Sequence, residues 1–139
     1  MLAVALLLAL GCGENMPVGD RVPTVPVKGQ LLVDGEPAAA VKVQCVRNSG
    51  PQDGLPGSGA FTDEEGRFAV STFVSGDGVP TGAYRVTFFW GQYNLMNGRY
   101  VGPDKLEGKY SDPDESKITF TVEDQGKPVD LGTIELSTK

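Results

Sequence analysis

The chain has 139 residues, a formal net charge of −6 from 18 acidic and 12 basic side chains, and no histidine. That length holds one domain plus processing segments and suffices to bury a core without disulfides or metals. The acidic balance, with no cluster of Lys and Arg, excludes a nucleic-acid partner, and the missing histidines remove the commonest general base and the commonest zinc ligand.

The N-terminus opens on MLAVALLLALGC, an apolar run from Leu2 to Leu10. A membrane-spanning helix needs about 20 such residues, so the run is too short to span and fits the apolar core of a secretory signal. Its end, Ala9-Leu10-Gly11-Cys12, resembles the lipobox of bacterial lipoprotein precursors, in which small residues precede a cysteine that becomes the acylated N-terminus. Ala9 stands where that pattern usually carries Leu, Val or Ile, and Met1 is followed at once by Leu2 without a basic region, which a start further upstream would supply. The division this predicts is a signal peptide over 1–11, a lipidated Cys12 opening a polar tether over 12–24, and a domain over 25–139. Acyl chains hold such a chain to a membrane at about 0.8 kcal/mol per buried methylene. Gly13 after the cysteine is compatible with export to the outer membrane of a bacterial envelope.

The domain begins with VPVKGQLLVDG, where Val25, Val27, Leu31 and Val33 share one face and Lys28 and Gln30 the other, the alternation of a half-buried strand. Asp34-Gly35 is a tight turn, since glycine takes a positive φ without steric cost. A second strand follows over 41–47 with Val41, Val43 and Cys45 inward. Cys45 reads as a small core residue; the competing arrangement is a reactive or disulfide-bonded thiol.

Residues 48–59 are turn-formers. Phe61-Thr62, the turn Asp63-Glu64-Glu65-Gly66 and Arg67–Phe73 read as a β-hairpin. The three carboxylates lack the alternating oxygen ligands of a calcium loop and suit a solvated turn with Asp63 as its cap. The turn 76–82 opens a strand over 83–90 with Tyr84, Val86, Phe88 and Trp90 inward, apolar enough to be central. Residues 91–113 carry Tyr93, Leu95, Met96, Tyr100, Leu106 and Tyr110 without periodicity; a loop that long is functional or covers an open sheet edge. Lys117–Val122 alternates again, 125–128 turn, and 131–136 close the sheet with Ile134 and Leu136. About seven short strands and no helix after the leader make an all-β, immunoglobulin-like sandwich.

Three pieces in register, Val27-Lys28-Gly29 leading to Asp34-Gly35-Glu36-Pro37, then Thr62-Asp63-Glu64-Glu65-Gly66-Arg67-Phe68, then Pro80-Thr81-Gly82-Ala83-Tyr84-Arg85-Val86, resemble the carboxypeptidase regulatory-like domain family. The resemblance covers about the middle half of the chain. It implies a transthyretin-like β-sandwich acting as an accessory module, as in small bacterial lipoproteins that carry this domain alone; the insertion at 91–109 departs from that pattern. Zinc peptidase chemistry and transthyretin-type hydroxyisourate hydrolysis both need histidines that this chain lacks.

No catalytic residue, metal site or cofactor is expected. A serine nucleophile would need a nearby lysine, and Lys117 follows Ser116 directly and stands six after Ser111, without the Ser-x-x-Lys spacing. The expected function is a non-enzymatic, lipid-anchored envelope protein, held to the membrane through Cys12, with a protein or polysaccharide partner at a face formed by Trp90, Tyr93 and Tyr100. The alternative is a carbohydrate-binding module that stacks sugars on those rings.

Overall fold

In the computed structural model the described residues are 22–48, 55–124 and 126–139. The predicted signal peptide, Cys12 and most of the tether lie outside them. In chain order the strands are β1 (Thr24–Val25), β2 (Val27–Val33), β3 (Glu36–Pro37), β4 (Lys42–Arg47), β5 (Ser58–Phe61) and β6 (Arg67–Ala69). There follow β7 (Val79–Pro80), β8 (Gly82–Phe89), β9 (Gln92–Tyr93), β10 (Tyr100–Val101), β11 (Thr119–Val122) and β12 (Val129–Leu136). Among these twelve, seven have three residues or more, which is the expected count; the other five are two-residue pairings at turns and ends.

The strands form an all-β sandwich. One sheet runs β11-β8-β4-β5, antiparallel throughout. The other is built on β2, which pairs antiparallel with β3 and β6 and parallel with β12. The ladder between β2 and β12 shifts register between Asp130 and Thr133, where Gly132 takes a φ of +67° and its N–H donates to Asp130 Oδ1. The turn at Asp34 (φ 53°) and Gly35 (φ 85°) is left-handed at both positions, the two-residue hairpin geometry that Asp-Gly favours.

The core between the sheets follows the sequence alternation. Val27, Leu31 and Val33 meet Val43, Cys45, Tyr84, Val86, Phe88, Val122, Ile134 and Leu136, all buried. Each large aliphatic side chain so buried contributes about 1.5–3 kcal/mol. Leu106, from the irregular stretch, joins them at 0 % exposure.

Three expectations change. The predicted first strand is interrupted at Pro26, so that Thr24 and Val25 pair with Pro80 and Val79 in a small sheet of their own; proline brings no N–H to a ladder. The stretch 58–73 is a corner rather than a simple hairpin: β5 pairs with β4 in one sheet and β6 with β2 in the other, leaving a single bridge between Gly59 and Ser71. Gly66 sits so close at this corner that a Cβ would overlap the Leu31 carbonyl oxygen, and the turn is closed by Asp63 Oδ1, which accepts from the N–H groups of Glu65 and Arg67. Finally, β8 ends at Phe89, and Trp90 is only half-buried. Its backbone N–H donates to Asp104 Oδ1 at 2.9 Å instead of to a neighbouring strand.

The register also fixes two ends. Strand β8 runs from Gly82, next to the β1–β7 pair, to Phe89, next to the β9–β10 hairpin. Eight residues at ~3.3 Å each separate these ends by about 26 Å. The N-terminal side of the domain and the β9–β10 hairpin are therefore at opposite ends of the sandwich.

Candidate functional site

Val43 stands between Ala60 and Phe88 and is fully buried, so its neighbour Lys42 and the residues in register with it, Phe61 and Phe89, face outward from the same sheet. The chain leaves Phe89, turns at Gly91 and returns through Tyr100, whose ring lies against this outer row. Tyr100 meets Phe61 edge-on at a centroid distance of 5.0 Å, Tyr93 at 5.2 Å and Phe89 at 6.1 Å; Tyr93 also reaches Phe61 at 5.7 Å. Such T-shaped contacts fit the ring quadrupoles and add about 0.5–1.5 kcal/mol each beyond area burial.

The Tyr100 hydroxyl pins the hairpin to the sandwich. It accepts from the Gly91 N–H at 2.7 Å and has the carbonyls of Ala40 (2.7 Å) and Phe89 (3.0 Å) as acceptors. Burial pushes its pKa above the usual tyrosine value, so it is a neutral structural phenol. Trp90 goes elsewhere: its Nε1–H donates to Ala39 O at 3.1 Å, and Lys105 Nζ sits 4.7 Å from the ring centroid. Of the three residues expected to share a face, Tyr93 and Tyr100 come together and Trp90 stands at the hairpin base, in no ring pair among the described residues.

Phe61 and Val101, which the sequence reading did not single out, complete the patch. Phe61 is 43 % exposed, Tyr93 49 %, and Leu95 and Met96 at the hairpin tip 97 % each. With Val101, these make five of the seven large hydrophobics exposed among the described residues. Leu95 and Met96 were visible in the sequence as apolar residues of an unpatterned stretch. Phe61 read as an ordinary strand residue, because the hairpin that packs on its outer side comes from thirty positions further on.

The Tyr100 hydroxyl is committed to backbone groups and Lys105 lies over the Trp90 ring, while Tyr93 keeps 49 % of its surface exposed.

Elsewhere the polar groups serve the fold. A cleft of about 630 Å³ between the sheet edges is lined by Val86, Phe88, Ile118 and Leu136, with Lys109, Lys117, Glu115 and Glu135 at its rim. The Ser116 hydroxyl within it donates to Val86 O at 2.6 Å and accepts from the Ile118 N–H, so it is spent on the backbone. Cys45 is a buried free thiol whose pKa is pushed up to about 12 by desolvation, the inert kind of cysteine. Among the described residues no group of three or more His, Cys, Asp or Glu could hold a metal ion, and no helix is long and apolar enough to cross a membrane.

No protein-family model matches the chain, and no curated protein does. Solved structures do match. The major pilin subunit BcpA of Bacillus cereus is 16 % identical over 81 % of this chain and 29 % of its own, with a TM-score of 0.49. A DUF3823 family protein from Parabacteroides merdae is 14 % identical over 84 % of this chain and 46 % of its own, with a TM-score of 0.40. An (S)-allantoin synthase is 19 % identical over 83 % of this chain and 41 % of its own, with a TM-score of 0.42. The chain thus spans less than half the length of each of these proteins.

Proposed function

We propose that this chain is a non-enzymatic lipoprotein of the bacterial cell envelope, acylated at Cys12 and presenting a β-sandwich of the carboxypeptidase regulatory-like type as a binding or scaffold domain. The observation that carries the reading is the short apolar run ending in Ala9-Leu10-Gly11-Cys12 ahead of an all-β domain. The run is too short to span a bilayer, and a thiol preceded by small residues is what diacylglycerol transfer uses. The domain supports a non-catalytic role through its polar groups: the Ser116 hydroxyl, the Cys45 thiol and the Asp63 and Asp104 carboxylates are all taken up by burial or by backbone groups. Gly13 after the acylated cysteine favours the outer membrane, and the exposed apolar residues around Tyr93 favour a contact at the envelope rather than a soluble substrate.

The test is Cys12→Ser in a bacterial host. The wild-type chain is expected in the detergent phase of a membrane extract, carrying metabolically incorporated palmitate; the variant is expected unlabelled and uncleaved. Equal palmitate incorporation in the two chains, or none in either, would refute the reading.

A further inference from the structure

We propose that the tip of the β9–β10 hairpin, through Leu95 and Met96, docks this domain on the surface of a lipid bilayer. These two side chains are almost wholly in water, yet four of the six N–H groups from Asn94 to Arg99 are bonded within the turn that bears them. The Asn94 and Gly98 N–H groups donate to Arg99 O and Asn94 O at 2.7 and 2.8 Å, and the Met96 and Arg99 N–H groups donate to the Asn94 and Asn97 side-chain oxygens at 2.9 and 3.0 Å. Each donor bonded within the turn lowers the cost of leaving water, because lipid offers no replacement partners, and the rest can stay at the headgroup level.

The flanks fit the same environment. Tyr93, 49 % exposed, stands just behind the tip, where amphipathic rings settle at the headgroup level, while Tyr100 holds the hairpin to the domain. From Phe89 to Pro103 the one charged residue is Arg99, so the hairpin brings a cation to the phosphates although the whole chain is acidic. A protein partner fits less well. Stable interfaces bury about 800 Å² on each side over some 20–30 residues, whereas this is a convex tip with four exposed large apolar side chains, Tyr93, Leu95, Met96 and Val101. The contact does not depend on acylation of Cys12 and is compatible with it. The ten residues from Gly13 to Val22 reach at most about 35 Å, more than the ~26 Å length of β8, so a lipid at Cys12 and the tip can meet one bilayer with the domain lying along it.

The test uses the full chain with phosphatidylcholine vesicles containing a lipid with a photoactivatable diazirine in its acyl chain, followed by proteolysis and mass-spectrometric mapping. Label is expected in the 93–101 peptide, falling at least tenfold in Leu95→Asp/Met96→Asp, since loss of even one buried apolar side chain costs about that much. Label on the N-terminal peptide that contains Cys12 is expected to be the same in both chains, which separates this contact from the N-terminal one. Circular dichroism checks the fold of the variant, and Leu95→Ser/Met96→Ser, which adds no charge, is expected to lose the label as well. Label confined to the N-terminal peptide that contains Cys12, or equal label at 93–101 in wild type and both variants, would overturn the proposal and leave a protein or glycan as the ligand of this surface.

Discussion

Leu95 and Leu106 lie eleven positions apart in the same irregular stretch and have opposite fates, one 97 % exposed and the other 0 %. What separates them is Asp104. Its Oδ1 accepts from the N–H groups of Trp90 and Leu106, and its Oδ2 from that of Gly108. One carboxylate thereby ties the end of β8 to the returning chain and turns Leu106 into the core. The hairpin before it is held on the outer face of the sheet by Tyr100 and by the contact of Tyr93 with Phe61, and its tip points away from the core. The stretch therefore does two jobs: its second half closes the sandwich, and its first half carries apolar surface away from it.

Substitutions break this contrast at graded cost. Leu106→Ala leaves a cavity in the core and should lower unfolding stability by about 2–5 kcal/mol in urea titrations; a loss under about 1 kcal/mol would place Leu106 outside the core. Asp104→Ala strips the acceptor from three backbone donors, at an expected cost of about 1–3 kcal/mol, with faster amide exchange at Trp90 and Leu106 as its signature. Tyr100→Phe keeps the ring contacts and removes only the hydroxyl that the Gly91 N–H and Ala40 carbonyl share, so about 1–2 kcal/mol is expected. Leu95→Ser should change stability by no more than about 0.5 kcal/mol, as surface positions do; a larger loss would mean that the tip packs on the domain.

Cys45 gives a pH version of the same contrast. Its thiol is held at about 12 in the folded chain, above an ordinary value of 9.0. The unfolded chain thus sheds this proton first, and the contribution of Cys45 to stability falls as pH rises from about 9 towards about 12. At neutral pH the folded chain should leave Cys45 unalkylated by iodoacetamide, and denaturant should expose it.

How much of this was legible in the sequence follows from the same physics. Alternation located β2, β4, β8, β11 and β12 and their inward residues, because a period of two is written locally. The Asp34-Gly35 turn was legible for the same reason. The corner at 58–73 was not, since which sheet a strand joins depends on partners far along the chain: Ser58–Phe61 pairs back to β4 and Arg67–Ala69 to β2. Trp90 illustrates a related miss. Strand parity put it inside, but the Asp104 carboxylate ends the strand one residue earlier. The aromatic patch was half legible: Tyr93 and Tyr100 were visible as ring residues in an unpatterned segment, whereas Phe61 joins them only through the fold.

The measurement that tests the account most directly is the mass of the N-terminal peptide of the native protein extracted in detergent. A peptide that begins at Cys12 and carries acyl chains is the predicted result; it would fix the chain as an envelope lipoprotein and make the hairpin a second contact on an anchored domain. A peptide that retains Leu2–Gly11, or begins at an unmodified Cys12, would contradict it.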